Sequence, residues 1–167
     1  MGTRTMGIDP GLTRMGVGVV EEEGGRLAAV ACATIQTSPS DPVAHRLDVL
    51  YASLSETMAR WQPDAVAVER IFHALNARTL VPVAQASGVA LLAAARAGAE
   101  VYEYAPLEVK LAVVGTGTAS KDQMRFMVNR LVTGGVRTDT ADAADALAVA
   151  ICHIHSRKVR ALGVTRP

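Results

Sequence analysis

The sequence predicts an α/β fold with a mixed central sheet of about five strands flanked by helices, and three observations carry that prediction. Three strand-like stretches come first, "RTMGID", "GVGVVEEE" and "RLAAVACATIQT". Helical and strand patterns then alternate, the order that builds an α/β layer. One later stretch, "DAVAVE", is apolar without alternation, as a strand covered on both faces should be.

Each element has a local reason. Pro10-Gly11 is a turn pair, so the first two strands form a hairpin, and Gly24-Gly25 turns the chain into the third. "SPSDP" opens a helix that carries Val43, Leu47, Leu50, Leu54, Met58 and Trp61 on one face. A second helix should run from about Asn76 to Ala97, with Pro82 shortening or bending it. "EVYEYA" is the fifth strand, Pro106 starts a short helix, and "GTGTAS" is a loop. Ser120 and Gln123 form a capping box for the next helix. The last helix is "TADAADALAVAIC", with Thr140 as its N-cap.

The chain has 167 residues, half of them hydrophobic, which fits one domain over residues 1–167 with a flexible basic tail from about residue 157. Seventeen Lys+Arg against sixteen Asp+Glu give a formal charge of +1, so any anionic partner must be met by local clustering. Cys32 and Cys152 lie in apolar stretches without metal-ligand spacing and read as buried free thiols, which suits a reducing cytoplasm. No secretory signal and no apolar run of about eighteen residues is found, so secretion and membrane spanning are not expected.

Four carboxylates stand in places that ask for a reason. Asp9 precedes Pro10 and so ends the first strand in extended geometry, although Asp-Pro-Gly is also ordinary turn chemistry. Glu69 ends the apolar "AVAV", at the strand end where open α/β sheets place ligands. Arg70 next to it is an available structural partner. Asp142 and Asp145 sit one turn apart on one helix face, where like charges destabilise. Asp142 alone would suit the first turn after Thr140, but Asp145 lies beyond the reach of the helix dipole.

If the first and fourth strands are adjacent and parallel, Asp9 and Glu69 meet at one sheet edge, and the Asp142/Asp145 face can pack across it. Two unit charges about 4 Å apart repel by roughly 4 kcal/mol at an effective dielectric near 20. Such a cluster persists by protonation or by binding a divalent cation. All-oxygen ligands select Mg²⁺ or Mn²⁺ rather than zinc, and two such ions can clamp an in-line phosphoryl displacement.

Lys121 falls in the first turn of its helix, where the dipole disfavours a cation, so it breaks a local rule or is simply solvated beside Asp122. "GTGTASK" lacks the GxxxxGK[ST] pattern of a phosphate loop. His153, His155, Arg157 and Lys158 suit a helix C-terminus and are not assigned to metal; the basic tail should touch solvent or the backbone of an anionic partner.

Together, "GIDPG" (7–11), "VERIF" (68–72), "YAPLEVKLAVVGTGTASK" (104–121) and "DAADALAVAI" (142–151) resemble RuvC-type Holliday-junction resolvases over nearly the whole chain. The resemblance implies an RNase H-like fold and a homodimer that nicks two strands of a four-way DNA junction symmetrically, in recombination and repair. It implies Asp9, Glu69, Asp142 and Asp145 as ligands of two ions, with Lys110 and Lys121 near the scissile phosphate. It also implies Phe72 at the junction centre, Arg78 and Arg70 as basic DNA contacts, ligatable 5′-phosphate products, and docking to a branch-migration motor. A nuclease acting on an RNA–DNA hybrid is the nearest alternative. An actin-like phosphotransferase would need two such lobes, and a junction-binding module without activity would gain nothing from anions facing phosphates.

Overall fold

The computed structural model describes residues 2–71, 77–134 and 140–161. The chain begins with β1 (Thr3–Asp9), β2 (Arg14–Glu23) and β3 (Arg26–Gln36), an antiparallel meander. Helix α1 (Val43–Trp61) then leads to β4 (Ala65–Glu69), α2 (Ala77–Arg96) and β5 (Glu100–Tyr104). Helices α3 (Pro106–Val114) and α4 (Lys121–Leu131), a two-residue β6 (Val132–Thr133) and α5 (Ala141–Ala161) complete it. The sheet order is β5-β4-β1-β2-β3-β6, with β4 parallel to β1 and β5 parallel to β4.

The expected α/β layer with a mixed sheet is therefore present, with one strand more than expected. β6 pairs only Leu27 and Ala28 of β3, and two residues carry no readable period. Pro82 lies inside α2, which runs unbroken from Ala77 to Arg96. Its missing N–H leaves the carbonyl of Arg78 without its helical donor, a tolerable loss where Arg78 is exposed. The 19-residue stretch Arg78–Arg96 is, against expectation, long and apolar enough to cross a membrane by length and composition. In the fold it packs against α1, β4 and β5, with Ala86, Ala90, Ala93 and Ala94 buried.

Two apolar layers cover the sheet. Met6, Ile8, Val66 and Val68 face α1 and α2, where Leu50, Leu54 and Met58 are buried. Ala67 and Tyr104 face the other way, onto α5, α3 and α4, with Leu147, Ile151 and Val128. Strand alternation then turns Gly7 and Asp9 of β1 and Glu69 of β4 toward α5.

Helix α5 lies directly on the sheet because glycines make room for it. A Cβ at Gly7 would collide with the carbonyl of Ala146, and one at Gly16 with the carbonyl of Asp142. Gly7 and Gly18 face each other across the β1–β2 ladder, as Asp9 and Gly16 do. Arg157 and Lys158, expected in a flexible tail, instead lie in α5, and both pair with Glu22 of β2 at 2.8 Å. Of the two thiols, Cys152 is buried and Cys32 half-buried; neither is bridged.

Candidate active site

The parallel register that pairs Ile8 with Val68 makes Asp9 and Glu69 the next residues at the same sheet edge. Both are half-buried, and both line a cleft of about 470 Å³ together with Asp145, Lys110, Lys121 and Ser120. Each element brings its residue for a local reason. α4 is opened by Ser120, whose Oγ accepts from Gln123 N while Gln123 Oε1 accepts from Ser120 N, so Lys121 begins the helix at the cleft. α3 begins at Pro106, with Glu108 accepting from Ala105 N at 2.7 Å, and carries Lys110 inward. α5 is capped by Thr140, whose Oγ1 accepts from Ala143 N at 3.2 Å. That cap sets Asp142 in the first turn and Asp145 one turn on.

Electrostatics distinguish these acids from surface carboxylates. Burial pushes Asp9 up to about 7, with the charges of Glu69, Asp145 and Asp142 adding to it and Lys121 opposing. Burial also pushes Glu69 up to about 7, with Asp145 adding to it and Lys121 and Lys110 opposing. Asp145 is raised as well, first by burial; Lys121 opposes and Asp142 adds. The mutual repulsion places all four carboxylates within one electrostatic neighbourhood.

Asp142 differs from the rest. It is not part of the cleft lining, and Arg14 Nε donates to its Oδ2 at 2.7 Å. Nothing local signals this pair, because its members are 128 residues apart. Arg70 does not pair with Glu69 as the sequence suggested. Its side chain is exposed, while its backbone N–H donates to the carbonyl of Tyr104 at 2.7 Å, extending the parallel ladder. Arg78 is exposed on the first turn of α2. Phe72 lies outside the described residues.

The donor set suits a hard divalent cation, since every ligand is a carboxylate oxygen and burial makes their shared charge costly to leave unmet. Among the described residues the side chains do not yet close into a ready-made cage of three or more ligands.

Known proteins similar to this chain fall in one family. A family model described as crossover junction endodeoxyribonuclease RuvC matches residues 5–153. A crossover junction endodeoxyribonuclease RuvC from Salinispora arenicola is 53% identical over 152 residues, covering 90% of this chain and 87% of the relative. One from Pelotomaculum thermopropionicum is 49% identical over 150 residues, covering 90% of this chain and 92% of the relative. Among solved structures, Thermus thermophilus RuvC in complex with a Holliday junction substrate superposes with a TM-score of 0.86 at 34% identity, covering 95% of this chain and 96% of that one. The yeast mitochondrial Holliday junction resolvase Ydc2, at 14% identity and a TM-score of 0.67, shares the fold.

Proposed function

The chain belongs to the RuvC family of crossover junction endodeoxyribonucleases, and from that premise we propose how this nuclease resolves a four-way DNA junction. The observation that carries the reading is the meeting of Asp9, Glu69 and Asp145 in one cleft with Lys110 and Lys121. Asp9, Glu69, Asp142 and Asp145 would hold two Mg²⁺ or Mn²⁺ ions. When bound, the ions supply the Lewis acidity that activates water and offsets charge on the leaving 3′ oxygen.

The rest is the work of the chain's own residues. Lys121 and Lys110 face the acids across the cleft and offer cationic donors to the scissile phosphate and to the charge that develops on it. The apolar Val109, Met124 and Ala148 of the cleft lining limit bulk water beside that phosphate, which strengthens the lysine–phosphate attraction. Hydrolysis then leaves a 5′-phosphate and a 3′-hydroxyl, ends that a ligase can join. Arg78 and Arg70, both exposed, extend the DNA contact surface beyond the cleft, and Phe72 takes the role at the junction centre that the family resemblance implies.

Among the described residues one chain carries one such cleft, and paired nicks need two. Leu80, Val81 and Leu92 on α2 are exposed, an apolar surface that suits a two-fold partner. In a supercoiled cruciform plasmid, wild-type dimer should give linear product, and a heterodimer with one Asp9→Asn subunit should give nicked circles. Linear product from that heterodimer would overturn the paired-site reading. We place the activity in the cytoplasm, in keeping with the unbridged thiols, and a branch-migration motor among its partners. Incubation with four-way junction, linear duplex and RNA–DNA hybrid, with and without Mg²⁺ or Mn²⁺, tests the whole reading. Metal-dependent cleavage of the junction alone is expected; preference for the hybrid would replace it.

A further inference from the structure

Asp142 is the one acid of the cluster bonded to a cationic side chain among the described residues, and both members of that pair are held in place. Arg14 opens β2 directly after Thr13, whose carbonyl accepts from Thr37 N at 3.0 Å. The Thr13 hydroxyl accepts from the guanidinium of the buried Arg46 at 2.7 Å, and Arg46 Nε donates to Thr37 Oγ1 at 2.9 Å. On the other side, the cap residue of α5 is tied to the sheet by a 2.8 Å hydrogen bond between Thr140 Oγ1 and Thr34 Oγ1. Gly16, two residues beyond Arg14, sits against the backbone carbonyl of Asp142. The meeting of Arg14 and Asp142 is therefore set by two anchored backbones rather than by two long side chains that happen to touch.

A carboxylate oxygen held by a guanidinium does not offer the same lone pair to a metal ion, and the arginine charge repels a divalent cation nearby. We propose that Arg14 is a positioning residue that serves as the resident counter-ion of Asp142 and competes with a divalent cation for it. The cation position that draws on Asp142 is then weaker than the one served by Asp9, Glu69 and Asp145, and the site fills in two unequal steps. This inference rests on the cation-binding reading above. Both side chains are partly exposed, Arg14 by 47% and Asp142 by 26%, so the pair is weak enough to be displaced by a cation.

The test is calorimetric titration of Mn²⁺ into the DNA-free full-length protein, which reads binding without turnover. Arg14→Gln should tighten the weaker step by about two- to fivefold, the range set by an exposed ion pair. The gain should vanish in the Arg14→Gln/Asp142→Asn double variant, and Arg14→Lys, which keeps the charge, should stay near wild type. Unchanged or weaker binding by Arg14→Gln, while Asp9→Asn abolishes binding, would overturn the role of Arg14 and leave the cation site standing. Mn²⁺ binding undiminished by Asp9→Asn would overturn the cation site, and this inference with it.

Discussion

The two ends of the β1–β2 hairpin treat negative charge in opposite ways. At the end where β1 starts, Glu21 accepts from Arg4 Nε at 2.8 Å, and Glu22 pairs with both Arg157 and Lys158 at 2.8 Å. Burial would raise Glu22, but its bonds to Lys158 and Arg157 outweigh that and hold its carboxyl below the usual range. At the end where β1 stops, Asp9, Glu69 and Asp145 are all pushed up, because burial and mutual repulsion exceed what the cleft lysines return. One helix, α5, spans both ends and supplies cations to the first and anions to the second. The first end is electrostatically complete in the folded chain. The second is completed only by something added, which is how perturbed carboxylates mark a working site.

The sharpest way to break this contrast is to neutralise an acid at the incomplete end. Asp145→Asn should lower junction cleavage by about 10³-fold or more, the upper range for removing a positioned electrostatic group, while gel-shift affinity for the junction holds or improves. Loss of binding along with cleavage, in a folded protein, would make Asp145 structural. A smaller effect is expected from the cation that answers these acids. Lys121→Ala should cut single-turnover cleavage by about 10²-fold, far more than it weakens binding. A mainly reduced affinity with a shallower salt dependence would make it an ordinary backbone contact.

The metal-free protein should show the contrast as pH dependence. Asp9 and Glu69 titrate near 7 when folded, above their ordinary 3.8 and 4.5, so the folded state keeps protons that the unfolded state has released. Their contribution is therefore favourable at low pH and is lost as pH rises from about 4 to about 7. In chelator, the melting temperature of Asp9→Asn should overtake wild type with rising pH, reaching a lead of roughly 5 °C by pH 8. A constant gap across that range would contradict the repulsion at this end. Glu22 carries the opposite sign: its contribution is present above the ordinary carboxylate range and is lost as pH falls. Glu22→Gln should cost about 1 kcal/mol at pH 7 by chemical denaturation and change single-turnover cleavage less than about twofold. A large loss of cleavage would tie the complete end to the chemistry.

What was legible in the sequence follows from the range of the signal. Asp9 and Glu69 could be read because Pro10 and the "AVAV" run each fix a strand end locally, and parallel pairing then brings the two together. Asp142 and Asp145 could be read because Thr140 caps the helix that spaces them. Lys121 was marked by its place after a capping serine. The Arg14–Asp142 pair had no such mark, since tertiary packing alone joins residues so far apart. The same limit hid β6, whose two residues gain their strand character only from Leu27 and Ala28. It hid the fate of Arg157 and Lys158 too, which composition assigned to a loose tail and Glu22 draws onto the sheet.

The glycine seat beneath α5 has a consequence for how this protein can change over time. Gly7 and Gly16 bear no functional group, yet a single methyl at either would press on the carbonyls of Ala146 or Asp142 and lift the helix from the sheet. Because Asp142 and Asp145 ride on that helix while Asp9 and Glu69 stay with the strands, such a shift would widen the cluster without altering any of its members. The clearance between helix and sheet thus works as a gauge block, setting the bite of the site by the thickness of an absent side chain. A glycine-to-alanine change here would substitute none of the acids or bases and still act as a loss-of-function allele.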